Sequence, residues 1–216
     1  MREINIINKV IMNKKGLLVN GSKQLIHLRQ GELDGACAVY SMMMCLIIEG
    51  IIKRSMVTNV PSRLKRNTAD GRLVSYFLEK QGMVIDGYSL DDLRYDLQSA
   101  FRKKVIPHYF SLDDADEDFD LMKEIIIKLE ENHPVEIGFD RIGGKSGHAV
   151  VLIGYKQNVG SVTFYCLDPG YPIEPGQFWN NVLKVTPTAR AKYNCFNVKE
   201  NTNTFIDGFL VFEKRQ

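Results

Sequence analysis

The chain has 216 residues, a length that suits one domain able to bury a hydrophobic core without disulfides or metal ions. Its 28 lysines and arginines nearly balance its 26 aspartates and glutamates, so no overall electric field favours nucleic acid or a membrane surface as a partner. We therefore expect a single domain over residues 1–216 with no nucleic-acid partner.

The N-terminal part predicts short β structure followed by one buried helix. Short apolar stretches at residues 4–12, 17–19 and 24–28 suggest strands or extended chain. Residues 37–49 are apolar almost all round and end at Gly50. A helix that is apolar on every side is a buried one, and a glycine just past its end is the common C-cap. This pattern predicts a buried central helix.

The middle of the chain predicts further helices. We expect a helical region between residues 51 and 110, with one helix over residues 72–81 and another over residues 90–101. A third helix is predicted over residues 119–131, before the strand-favouring segment that starts near Pro134.

The C-terminal part predicts strands. They are expected over residues 135–139, 148–155, 162–168, 182–185 and 209–212. Residues 193–204 are polar and rich in asparagine, which favours a surface loop. A helical N-terminal half and a C-terminal half of antiparallel β-sheet indicate an α+β fold with segregated layers. A functional cleft is expected between the two halves.

Cys37 is the first candidate for chemistry, because it ends a polar, glycine-bearing loop and opens the central helix. The free N–H groups and positive dipole at a helix N-terminus favour a thiolate. Gln30 lies seven residues upstream, so a folded-back loop can aim its side-chain amide at the carbonyl oxygen that the N–H of Cys37 would bind. The two donors would form an oxyanion hole. The competing interpretation is an inert, buried thiol.

His148 and Asp168 are the other two candidates. A glycine-rich loop over residues 143–147 leads into an apolar strand at His148, and a polar turn over residues 157–161 returns the chain antiparallel. In register, that hairpin brings Asp168 near His148. A thiol, an imidazole and an orienting carboxylate are the groups that nucleophilic catalysis requires. Alternatively, His148 is an ordinary strand-end histidine and Asp168 part of an Asp-Pro-Gly turn.

The chain resembles the papain-like cysteine peptidases and, within them, the bacterial C39-like group known from the leader-removing domains of bacteriocin exporters. The motifs that carry the resemblance lie at residues 30–37, 132–135, 148–155 and 167–169. The resemblance implies a papain-like fold in a bacterial protein. It also implies that Gln30 is the oxyanion glutamine, Cys37 the nucleophile, His148 the general base and acid, and Asp168 the orienting residue. Exporter domains carry an Asp-Cys-Gly-type sequence, whereas Cys37 here lies between two alanines.

Metals, cofactors and membrane segments are not expected. The four cysteines show no C-x-x-C spacing and the four histidines no H-E-x-x-H pattern, so no metal or cofactor is predicted. The longest apolar run, residues 36–48, is too short to span a bilayer. Residues 1–9 lack the continuous apolar region of a signal peptide, so we expect a reducing, cytoplasmic location.

The leading functional interpretation is a thiol hydrolase that attacks an amide carbonyl through a thioester, with a peptide or protein as substrate. A glutamine deamidase or acyl transferase acting on a protein is an alternative, since the same groups perform both reactions. Transglutaminase-type enzymes usually place a tryptophan upstream of the thiol, whereas the one tryptophan here, Trp179, lies downstream and is a candidate lid. The third alternative is a non-catalytic papain-like binding module. Oligomeric state is not predicted.

Overall fold

The computed structural model describes residues 3–31, 36–58, 67–77, 87–112, 120–141, 147–186, 194–206 and 208–215. The elements in chain order are β1 (Asn5–Ile6), β2 (Val10–Asn13), β3 (Gly16–Val19), α1 (Cys37–Ile48), α2 (Arg54–Thr58), α3 (Ala69–Ser75), α4 (Leu90–Ala100), β4 (Val105–Ser111), α5 (Leu121–Glu130), β5 (Val135–Arg141), β6 (Gly147–Asn158), β7 (Ser161–Leu167), β8 (Asn181–Val185), β9 (Cys195–Asn197), β10 (Thr202–Phe205) and β11 (Gly208–Lys214).

An antiparallel sheet forms the centre of the described part of the chain. Its strands lie in the order β1-β6-β7-β8-β9-β10-β5-β11-β4, and β5 also pairs with β6. That extra pairing closes the six strands from β5 to β10 into a barrel, from which β1, β11 and β4 extend. Strands β2 and β3 form a separate hairpin. Closure pairs the first half of β6, from Gly147 to Leu152, with β5, which holds the start of this strand in place.

Helix α1 packs against the outside of this barrel. Ten of its residues are buried, so the helix is enclosed on nearly every side, as the all-round apolar pattern predicts. Gly50, at φ 65°, follows its end, which confirms the predicted glycine stop. Within α1, the hydroxyl of Ser41 donates to the carbonyl of Ala149 on β6 at 3.1 Å. Each large apolar side chain buried here stabilises the fold by about 1.5–3 kcal/mol, so Cys37 is held firmly at the start of the helix.

The other predicted helices and strands are found largely where the sequence places them. Helices α4 and α5 and strands β5 to β8 and β11 match the predicted segments, which confirms a mixed α+β fold. Helix α3 covers the start of the helix predicted over residues 72–81. Its predicted end, at residues 78–82, lies outside the described residues and stays a prediction. None of the helices in the described ranges has the length and apolar character that crossing a membrane requires.

Two predictions about secondary structure are wrong. Residues 105–110, expected within a helical region, belong to β4 (Val105–Ser111), which pairs with β11 along its whole length. Residues 195–197 and 202–204, expected in a surface loop, form β9 and most of β10 (Thr202–Phe205). The asparagines and threonines of β9 and β10 do not indicate strands in the sequence. The backbones of the two strands nevertheless supply the pairings that close the barrel. Tertiary pairing overrides local preference here.

Candidate active site

Cys37 is the first residue of α1, and its thiol is hydrogen-bonded to the side chain of His148. Burial by itself raises the pKa of this thiol. The hydrogen bond and charge of His148 act in the opposite direction, together with backbone hydrogen bonds from Ala149 and Ala38, and the net pKa lies below its ordinary value. The surroundings of Cys37 therefore favour its thiolate form.

His148 lies at the start of β6 and is only 5% exposed. Its Nε2 is 2.7 Å from Oδ1 of Asp168, which leaves Nδ1 for the thiol of Cys37. The ring also meets the ring of Phe139 edge-on, with the centroids 5.4 Å apart. Burial lowers the pKa of His148, but the contacts with Asp168 and Cys37 outweigh it and raise the pKa to about 9. At neutral pH the imidazolium form prevails.

Asp168 follows β7 and is completely buried. Its Oδ1 accepts hydrogen bonds from Nε2 of His148 at 2.7 Å and from the backbone N–H of Gly170 at 2.8 Å. Its Oδ2 accepts one from Nδ2 of Asn181 at 2.8 Å. Burial raises the pKa of Asp168, but the hydrogen bond and charge of His148, with the donors of Asn181 and Gly170, bring it below its usual value. Asp168 is thus a stable carboxylate opposite an imidazolium.

The turn that carries Asp168 is anchored by two residues that sequence reasoning missed. Asn180 binds both backbone groups of Asp168: its Oδ1 accepts from the N–H at 2.7 Å and its Nδ2 donates to the carbonyl at 2.8 Å. Nε2 of His27 lies 3.0 Å from the same carbonyl and 3.2 Å from Nδ2 of Asn180. Burial lowers the pKa of His27. The consecutive asparagines at the start of β8 were the available sequence signal.

Gln30 is tied to the same turn through its backbone. Its N–H donates to the carbonyl of Pro169 at 2.9 Å, which places the residue beside the end of β7. Its side-chain Oε1 is buried and has no hydrogen-bond partner among the described residues. Residues 32–35, which complete the loop to Cys37, lie outside the described ranges. The oxyanion role of Gln30 stays a prediction.

A second carboxyl group that the sequence did not single out lies near the thiol. Glu136, on β5, is completely buried, and neither carboxyl oxygen has a hydrogen-bond partner among the described residues. Burial, followed by the negative charge of Cys37, raises its pKa well above the ordinary value. Because direct partners in a sheet share a face, its side chain lies on the same face as Val151 and Leu210. A lone acid between Val135 and Ile137 in an apolar strand was the sequence signal.

The remaining features named from the sequence lie at the edges of this cluster. Residues 142–146, most of the glycine-rich loop before β6, fall outside the described residues. The ring of Trp179 packs on Tyr165 of β7, with the centroids 4.2 Å apart, and its role as a lid stays a prediction. Within the ranges that the structure describes, no group of three or more histidine, cysteine or acidic side chains could hold a metal ion.

Comparison with models of protein families gives a match over most of the chain. The model of the Peptidase_C39 like family matches residues 19–194, a stretch that includes all four candidate residues, Gln30, Cys37, His148 and Asp168. None of the curated proteins compared with the chain matches it.

Proposed function

This chain belongs to the Peptidase_C39 like family, and from that membership we propose that it is a cysteine peptidase in which Cys37 is the nucleophile. The observation that carries the proposal is the chain of hydrogen bonds from the partly buried Cys37 thiol through His148 to Asp168. Family membership supports a protein or peptide as the substrate. The carbonyl carbon of a peptide bond is the group that the thiolate would attack.

The proposed reaction has two steps. In the first, the Cys37 thiolate forms a C–S bond to the carbonyl carbon, and His148 gives its proton to the departing amine as the C–N bond breaks. In the second, His148 takes a proton from water, whose oxygen attacks the thioester, and the C–S bond breaks to regenerate the thiolate. Asp168 holds the Nε2–H of His148, so that Nδ1 keeps facing the sulfur in both steps.

The negative oxygen of each tetrahedral intermediate needs donors. The backbone N–H of Cys37 and the amide of Gln30 are the proposed pair. What supports Gln30 is its anchorage: its backbone bond to Pro169 holds it beside the Asp168 turn, at the same end of the barrel as His148. The donor pair would act mainly on charge that develops in the transition state.

Labelling and cleavage test the proposal together. The protein is treated with an epoxide electrophile and the adduct is mapped by mass spectrometry; we expect it on Cys37 and not on the three other cysteines, which are buried. The Cys37→Ala variant is the control and should take up no label. A peptide mixture should acquire new N-termini with the wild-type protein only, and hydroxylamine should capture the acyl group as a hydroxamate.

Two results would argue against this function. Equal labelling of the Cys37→Ala protein would exclude Cys37 as the nucleophile. Conversion of glutamine to glutamate without chain cleavage would instead support the deamidase alternative.

A further inference from the structure

Asn181 makes the one side-chain contact to Oδ2 of Asp168 that the structure shows. Asn181 begins β8 and is 3% exposed, and its Nδ2 donates to Oδ2 at 2.8 Å. The other carboxylate oxygen, Oδ1, accepts a hydrogen bond from Nε2 of His148. The two oxygens of Asp168 are therefore held by different partners, one of which is His148.

The orientation of the Asn181 amide follows from its second partner. Its Oδ1 accepts the backbone N–H of Val182 at 2.7 Å, so the amide oxygen is required on that side. A flipped amide would bring its oxygen against the carboxylate and its NH₂ against an N–H donor, so that both contacts would be lost. The network thus assigns the NH₂ group to Asp168.

Sheet register places Asn181 at this position. Asn181 is the direct partner of Cys166 in the pairing of β8 with β7. Direct partners share a face of the sheet, so the side chain of Asn181 lies on the same face as that of Cys166. Residues two apart on a strand also share a face, and Asp168 comes two residues after Cys166. The preceding residue, Asn180, fixes the backbone of Asp168. Two consecutive asparagines thus hold the backbone and the carboxylate separately.

We propose that Asn181 is a positioning residue, which keeps Asp168 ionised and turned so that Oδ1 faces His148. The proposal rests on the function proposed above, in which Asp168 orients His148. A buried carboxylate oxygen without a donor disfavours the charged form, and the rotation of the group about its Cβ–Cγ bond is then fixed only by the contacts of Oδ1 with His148 and Gly170. Either change weakens the attraction of Asp168 for the imidazolium.

Two substitutions that keep the branched shape of the asparagine side chain separate this role from packing. Asn181→Leu removes the donor, and we expect the pKa of His148 to fall by about one, the effect of losing one hydrogen bond to a charged group. Asn181→Asp should not lower it. If the new carboxyl group is protonated it still donates to Oδ2, and if it is ionised its negative charge favours the imidazolium. A packing role predicts the same direction of change in both variants.

The measurement is NMR titration of the His148 ring in the full chain, together with the rate of Cys37 alkylation by iodoacetamide against pH. In Asn181→Leu the acid limb of the alkylation profile should move to higher pH, because a weaker imidazolium partner stabilises the thiolate less. Asn194→Leu is the matched control. Asn194 binds both backbone groups of Ile206 at 2.9 and 2.7 Å, and its loss should leave the pKa of His148 unchanged.

Asp168→Asn distinguishes failure of this inference from failure of the proposed function. If Asp168→Asn lowers the pKa of His148 and Asn181→Leu matches the wild type, the positioning role is overturned while the proposed function stands. If Asp168→Asn leaves the pKa unchanged, Asp168 is not the partner of His148 and both proposals fall. Should Asn181→Leu not fold, Asn181→Ala removes the same donor with a smaller side chain and carries the same expectations.

Discussion

Nε2 of His148 lies 2.7 Å from Oδ1 of Asp168, and both side chains are withdrawn from solvent. In such surroundings an ion pair is weakly screened, so each partner strongly stabilises the charged form of the other. Asp168 and Cys37 together raise the pKa of His148 to about 9, and His148 in turn lowers the pKa of Cys37. Thiolate and imidazolium can therefore coexist over a broad range around neutral pH.

Replacing His148 should make the Cys37 thiol much less reactive near neutral pH. In His148→Ala we expect the pKa of Cys37 to rise. Burial raises this pKa, and His148, which is the main group that lowers it, is then absent. Iodoacetamide alkylation at pH 7 should slow markedly, and its pH profile should move to higher pH. His133→Ala is the control, since His133 contacts Glu49 at the far end of α1. An alkylation profile that coincides with the wild-type curve would exclude His148 as the partner.

Peptide cleavage should follow a bell-shaped pH profile. Activity should rise as Cys37 ionises on the acid side, below its ordinary pKa, and fall near pH 9 as His148 loses the proton that the leaving amine needs. The quantity to measure is kcat/KM for a cleaved peptide, because it reports on the free enzyme. A profile that keeps rising above pH 9 would show that His148 is not the general acid.

Replacing Gln30 should slow turnover and leave the reactivity of the Cys37 thiol nearly unchanged. If Gln30 donates to the oxyanion, Gln30→Ala should lower kcat on the order of a hundredfold or more, with kcat/KM reduced equally and alkylation of Cys37 nearly unchanged. Gln24→Ala is a suitable control, because the side-chain oxygen of Gln24 accepts the backbone N–H of Arg54 at 2.8 Å. Wild-type turnover in the Gln30 variant would assign the oxyanion hole to other donors.

Neutralising Glu136 should stabilise the protein, increasingly so at higher pH. The pKa of Glu136 is raised in the folded state, so its contribution to stability is fully present below the unfolded pKa and is lost as pH rises toward the folded pKa. The Glu136→Gln variant has no ionisable group at this position, so it does not lose this stability as pH rises. Its advantage in free energy of unfolding should grow above about pH 4 by about 1.4 kcal/mol for each pH unit until the folded pKa is reached.

Denaturant unfolding at pH 4, 6 and 8 measures this effect. Glu174→Gln, at an exposed position, is the control and should give the same difference from the wild type at each pH. A Glu136→Gln advantage that does not change with pH would show that Glu136 is ionised in the folded protein, paired with a group outside the described residues.

Much of this protein follows from local sequence. The all-round apolar run after Cys37 predicts α1, and alternating or continuous apolar segments predict β5 to β8. The hairpin between β6 and β7 is local as well, so the approach of Asp168 to His148 follows from a turn and a register. Cys37, His148 and Asp168 could be named as candidates because each lies at or beside the end of an element, and Gln30 because of its spacing from Cys37.

Tertiary structure alone decided the rest. The polar segments of β9 and β10 become strands because closing the barrel supplies partners for their backbones. Glu136 approaches Cys37 across 99 positions of sequence, since α1 packs against a sheet that is completed much later in the chain. Asn181 reaches Asp168 only in the register of β8 with β7. A single sequence reveals periodicity and turns, whereas burial and contacts between distant residues arise only when the elements pack together.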